Sequence, residues 1–294
     1  MDITLICVPY ELDMARLGYA RGPQAFLDAG LVERLRERGH RVGDPIWVEL
    51  PRGERTRDVV TNLGRIAART SEAVRDALAR SDGFALVLEG DCSHAAGVIG
   101  GLAQAAGPAG VAWFDAHGDL QTMATSESGY IGGMAYAVAL GWEFDDWRLA
   151  AGIEPAVRAE AAALLGTSDL DDVEIEALQR HPFLHMTAEE LETPGSAERL
   201  ETALRSRAGA AQAWYLHVDL DVADPEEVPG ALSPAPHWPS RKALFDALGA
   251  TARSLPVRAA AIATYNPMSD PASRGAQFGV DVALALMDTL DAGS

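Results

Sequence analysis

Asp115, His117 and Asp119 stand two residues apart at the end of the apolar run VAWFDAHGDLQT (111–122). Alternate side chains of an extended strand leave the same face, so this spacing predicts that the three project together. Carboxylates buried side by side need a cation or a proton between them, and an imidazole flanked by two of them suits a divalent metal of hard-to-borderline character. A solvated strand end would carry the same triplet. A second acidic strand end, WYLHVDLDVADP (214–225), brings Asp219 and Asp221, with His217 two residues before them; a third, FALVLEGDCSH (84–94), brings Cys92. Acidic ligands delivered by several strand ends to one edge of a parallel sheet are the usual makings of a two-metal hydrolase.

The elements that must hold these residues alternate. Strands are predicted at 2–9, 42–50, 84–88, 110–114, 164–167, 183–186, 213–219 and 258–265. Helices are predicted at 22–38, where Gly22-Pro23 opens the first turn, and at 58–80, 94–106, 134–140, 155–163, 188–208, 240–254 and 275–290. Such alternation predicts an α/β fold with a central parallel sheet covered by helices on both faces. A polar stretch, QTMATSESGYIGG (121–133), follows a strand and reads as a loop of the kind that contacts substrates. No repeat or linker interrupts the pattern, so residues 1–294 read as a single domain.

Composition excludes several classes of partner. The 294 residues are 48% hydrophobic and 23% charged, with a formal net charge of −19. Lys242 is the one lysine among 24 basic residues. This balance argues against nucleic acid or a membrane surface as partner. The sequence lacks a run of about 18 apolar residues, and its start lacks a basic segment followed by a cleavable apolar core, so a cytoplasmic soluble protein is expected. Cys7, inside an apolar run, reads as a core residue, whereas Cys92 falls where a ligand is wanted; a disulfide framework is excluded.

With these motifs in place the chain resembles the arginase/agmatinase (ureohydrolase) family. That family's metal motifs read approximately GGDHS, DAHxD and SFDxDxxDP, against EGDCS (89–93), DAHGD (115–119) and HVDLDVADP (217–225) here. RGP (21–23), GTSDLDDVE (166–174) and TYNPMSD (264–270) match further landmarks in order and spacing. The resemblance implies a three-layer αβα arginase-like fold and hydrolysis of a C–N bond in a small guanidine or amidine. It implies two divalent metal ions, usually manganese, ~4 Å apart and activating a bridging water to hydroxide. One metal would take Cys92, Asp115, Asp119 and Asp219, and the other His117, Asp115, Asp219 and Asp221, with Asp115 and Asp219 bridging. It further implies catalytic roles for Asp119 and Asp171, substrate contacts from Gln121, Ser128, Tyr130, Asp171 and Thr264, and a homo-oligomer, trimer or hexamer.

The departures from the family pattern matter as much. Cys92 replaces the usual His ligand, and three readings follow: a thiolate that binds and shifts metal preference, a protonated thiol that weakens the site, or substitution by His94. The hydroxyarginine amidinohydrolases, a branch that this sequence resembles, carry Cys there and a GYxGGM loop, matched by Gly129 to Met134. Gly132 replaces a His that shuttles protons in arginases, Gln121 and Tyr130 replace Asn residues, and Thr264 replaces the Glu that grips the guanidinium. A modified guanidine resembling N-hydroxyarginine is therefore the expected substrate. The alternatives are a formimino or amide substrate, or a metal-stabilised relative without turnover. His217 reads either as a partner of the ligands or as a core histidine, and His237 in SPAPHWPS (233–240) either as a substrate contact or as a solvated loop residue.

Overall fold

Most of the long strands are apolar on both faces, which requires a layer of helices on each side. The computed structural model describes residues 1–231 and 235–292. Its strands, in chain order, are β1 (Asp2–Val8), β2 (Tyr10–Glu11), β3 (Met14–Ala15), β4 (Arg41–Val42), β5 (Ile46–Trp47), β6 (Gly83–Glu89), β7 (Ala109–Phe114), β8 (Ala162–Thr167), β9 (Leu184–Thr187), β10 (Ala213–Asp219) and β11 (Val257–Ala263). The α-helices are α1 (Gly22–Asp28), α2 (Leu31–Glu37), α3 (Val59–Leu78), α4 (Ala95–Ala106), α5 (Ala135–Ala139), α6 (Asp145–Ala151), α7 (Asp172–Arg180), α8 (Ala188–Glu192), α9 (Ser196–Arg207), α10 (Arg241–Ser254) and α11 (Arg274–Ala292).

The main sheet runs β4-β1-β6-β11-β10-β7-β8-β9, and every neighbouring pair in it is parallel. β5 also pairs with β1, while β2 and β3 form a separate antiparallel hairpin. Alternation along β6 divides the core: Leu86 and Leu88 pack with Phe26, Leu244 and Leu284 of one helical layer, and Ala85 and Val87 pack with Ile66, Val74 and Ile99 of the other. The expected three-layer αβα architecture is thus present.

Several boundaries differ from the sequence-based expectation. The helix predicted over 22–38 is two helices, because Gly30 adopts a left-handed φ of 84° between α1 and α2. That predicted over 188–208 breaks at Thr193-Pro194-Gly195, where the residue before proline is extended and Gly195 is left-handed. The segment 155–163 forms only a short 3-10 turn, Ala159–Ala161; the Val157 N–H bonds instead to the Ala139 carbonyl at 3.0 Å, so its backbone serves a tertiary contact. The strand predicted over 42–50 is reduced to β4 and β5, separated by Gly43-Asp44-Pro45. Helices α6 and α7 are additional to the expectation.

Candidate metal centre

Four neighbours at the centre of the sheet, β6, β11, β10 and β7, point their carboxyl ends at one edge, and each is followed by residues of the motifs. Cys92 opens the 3-10 turn Cys92–His94 after β6. That turn is fixed by Asp91, whose carboxylate accepts from the Ser93 N–H at 3.1 Å and the Leu12 N–H at 2.5 Å. On β10, Asp219 is the last strand residue and Asp221 lies in the following turn, its N–H donating to Asp219 Oδ1 at 2.8 Å.

β7 stops at Phe114, so strand alternation does not carry Asp115, His117 and Asp119 as the spacing predicted. They converge because the loop turns, with Asp119 held at a φ of 51°. Such backbone is unusual away from glycine and persists where surrounding structure enforces it. The result is two ligand groups, Cys92 with Asp115 and Asp119, and Asp115 with His117 and Asp221, the ligand atoms of each within 4.8 Å of one another. Asp115 belongs to both. Its other contacts orient it: Trp113 Nε1 donates to Oδ2 at 2.9 Å and the His117 N–H to Oδ1 at 2.7 Å. The His117 ring lies 3.0 Å from Asp221 and 3.3 Å from Asp115 through Nδ1, and 3.9 Å from Asp169 through Nε2.

Asp115, Asp119, Asp219 and Asp221 are all buried. Burial, reinforced by neighbouring carboxylates, pushes the Asp119 and Asp219 carboxyls well above the usual range and Asp221 up to about 6. At His117 burial disfavours the charged ring, yet hydrogen bonds to Asp115 and Asp221 and their charges outweigh it and raise its pKa. Asp119 Oδ2 is buried without a hydrogen-bond partner. A buried, mutually repelling, under-satisfied oxygen cluster with one imidazole and one thiol is a donor set that fits divalent cations, which would take the place of the protons held there.

The geometry around Cys92 bears on the three readings of that position. Its Sγ lies 2.8 Å from Asp219 Oδ2 and in the same cluster as Asp115 and Asp119. His94 faces away: its Nε2 contacts the Tyr10 carbonyl at 3.0 Å and Asp91 at 3.6 Å, so substitution by His94, the third of the readings, would require its ring to leave both contacts. His217 is both a core histidine and a partner of the cluster, with Nε2 3.2 Å from Cys92 Sγ.

A cavity of about 460 Å³ opens over this cluster. Gln121, Ser128, Tyr130, Asp171 and Thr264 all line it, together with Asp169 and Glu174. Gln121 donates to Asp171 Oδ2 at 2.5 Å, and Glu174 ties the floor by accepting from the Leu120 N–H at 3.0 Å and the Asp171 N–H at 3.1 Å. Thr264 is buried, has a φ of 62°, and places Oγ1 3.5 Å from Cys92 Sγ. A Cβ on Gly132 would run into the Tyr130 ring, so the tyrosine fills the place of a side chain at 132. His237 lies outside the cavity lining, exposed and 3.8 Å from Glu189; Ser233 and Pro234 of the same loop lie outside the described residues.

Sequence reasoning missed Trp113, Tyr215 and Glu89. Trp113 carried a signal, an aromatic donor near the end of the strand and two residues before Asp115. Glu89 carried another: an acid at the end of a wholly buried strand.

The Arginase family model matches residues 1–288. An arginase of Bacillus caldovelox is 30% identical over 294 residues, covering 98% of this chain and 97% of the relative. An arginase of Bacillus subtilis (strain 168) is 33% identical over 79% of each chain. The crystal structure of arginase from Bacillus subtilis subsp. subtilis strain 168 superposes with a TM-score of 0.88 at 29% identity, over 98% of both chains.

Proposed function

The chain belongs to the arginase family, hydrolases that cleave non-peptide C–N bonds of guanidines and amidines, and from that premise we propose that its substrate is a modified guanidine of the N-hydroxyarginine type. Cys92, Asp115, Asp119 and Asp219 would hold one divalent cation and His117, Asp115, Asp219 and Asp221 the other, manganese being the family's usual metal. When bound, the cations supply Lewis acidity and lower the pKa of water at the site.

The observation that supports this reading is that both ligand groups share Asp115 while their other members, Cys92, Asp119, His117 and Asp221, line the cavity. Among the described residues that line the cavity there is no lysine or arginine, so it favours a neutral or cationic group over an anion. The Asp171 carboxylate and the Gln121 amide suit the amino-acid end of a substrate, with Ser128 and Tyr130 above them. Asp119 Oδ2, unpartnered within the cluster and on the cavity lining, suits the transfer of the proton that the departing amine must acquire. Asp171 would orient the substrate so that this transfer is short.

Thr264 selects among guanidines. An arginine guanidinium stays charged and calls for a carboxylate in two-pronged geometry, whereas Thr264 offers one hydroxyl. N-hydroxylation lowers basicity, so a hydroxyguanidine enters neutral and avoids the several kcal/mol of an uncompensated buried cation. The test is urea or hydroxyurea release from arginine, agmatine and N-hydroxyarginine by the manganese-loaded protein. Equal turnover of arginine and N-hydroxyarginine would overturn the choice of substrate. The family's habit of assembly extends the proposal to a homo-oligomer, trimer or hexamer, which sedimentation checks.

A further inference from the structure

We propose that a buried chain of side chains, Glu89, Tyr215 and His217, positions the Cys92 sulfur as a metal ligand. The inference rests on the reading that Cys92 is a ligand. His217 Nε2 lies 3.2 Å from Cys92 Sγ, and its Nδ1 lies 2.6 Å from the Tyr215 hydroxyl and 3.6 Å from Glu89 Oε2. Its ring is clamped against Trp113, with centroids 3.8 Å apart and planes 25° apart, so it has one orientation available. Glu89, Tyr215 and His217 are all 0% exposed.

The chemistry of the contact follows from the donors. With the Tyr215 hydroxyl donating to Nδ1, the ring proton lies on Nε2 and is offered to the sulfur. A thiolate here would face Asp219, 2.8 Å away, and share its cluster with Asp115 and Asp119. An N–H approaching from His217 relieves part of that repulsion and fixes the sulfur's direction, as hydrogen bonds behind metal ligands generally do. Glu89 stands behind the same ring, its buried carboxyl facing Tyr215 and 3.6 Å from His217 Nδ1.

The sequence corroborates the unit. Against the family strings GGDHS and SFDxDxxDP, this chain reads Glu for Gly at 89, Cys for His at 92 and His for Ser at 217. Position 217 is far from 89 and 92 in the chain, yet the three are neighbours in space. Thr264, another departure, touches the same sulfur at 3.5 Å.

The experiment uses the full chain loaded with cobalt. Wild type should display a thiolate-to-cobalt charge-transfer band. In His217→Ala the band should shift or weaken and one metal should bind about 10–100-fold more weakly. Tyr215→Phe and Glu89→Gln should move both readouts the same way by less, and they carry the test should His217→Ala fail to fold. His217→Gln, which still offers an N–H, should recover part of the band. In a Cys92→His background the His217 substitution should no longer weaken the metal; an equal loss there would mean a merely structural role and overturn the inference. A wild-type band unchanged in folded His217→Ala and Tyr215→Phe would overturn it while leaving Cys92 a ligand. No band in fully loaded wild type would remove both.

Discussion

The ring of Tyr130 occupies the space into which a side chain at Gly132 would project. The two positions are therefore a single design choice: a small residue at 132 is the condition for an aromatic wall at 130. Because Tyr130 is 39% exposed, its ring has room to swing outward. Gly132→Ala should cost no more than about 1 kcal/mol of stability. It should leave metal content intact and lower kcat/KM about tenfold, equivalent to ~1.4 kcal/mol of transition-state binding. Melting curves, elemental analysis and steady-state kinetics together check it; lost metal would mean that the glycine serves the ligands instead.

Asp115 joins both ligand groups, whereas Cys92 joins one. Asp115→Asn should therefore empty the protein of most of both metals, and Cys92→Ala should leave about one per chain. Asp219→Ala should resemble Asp115→Asn if it bridges. Elemental analysis after gel filtration distinguishes the two patterns.

The metal-free protein should become less stable as pH rises. Asp221, raised to about 6, keeps a proton in the native state that the unfolded chain has already released above the ordinary carboxylate range. Between those limits the native state binds more protons, so unfolding free energy falls with pH. His117, raised above its ordinary value, acts in the same direction from about pH 6.5 upward. Chelator-treated protein should melt several degrees lower at pH 8 than at pH 5. Manganese should stabilise more at pH 8, because it no longer competes with protons. A flat or rising melting profile without metal would show that the cluster does not hold these protons.

Thr264→Glu adds a carboxylate beside Cys92 and Asp219, at a backbone position with a φ of 62°. Without a cationic group to compensate it, the variant should lose several kcal/mol. Its activity ratio of arginine to N-hydroxyarginine should nevertheless rise at least about tenfold, since the new carboxylate offers the two-pronged contact that threonine lacks. Competing-substrate kinetics give this ratio directly.

Much of the architecture was legible because strand and helix periods are local. β1, β6, β7, β10 and the long helices α3, α10 and α11 fall close to their predicted spans. The misreadings cluster where one or two residues override a period: Gly30, Thr193-Pro194-Gly195, and the Val157 contact that no local pattern encodes. α7 was hidden for another reason. Asp171-x-x-Glu174 has the spacing of a capping box, but the segment read as a substrate motif, and the residues serve both ends. The candidate ligands were legible as types and spacings, and the structure gathers Cys92, Asp115, His117, Asp119 and Asp221 into the two groups. What supports them was not, because Trp113, Tyr215 and Glu89 resemble ordinary strand residues until neighbouring strands are placed.

The order of strands across the sheet also sets when the centre can exist. β11 (Val257–Ala263) lies between β6, which leads to Cys92, and β10, which leads to Asp219 and Asp221. On a ribosome, the strand that closes this gap emerges after all the ligands it brings together. A nascent chain halted before β11 would carry every proposed metal-binding side chain and still keep Cys92 apart from the others. Completion of the Cys92 group is thereby tied to the late strand, whereas Asp115, His117 and Asp221 belong to the β7–β10 half that can pair before it.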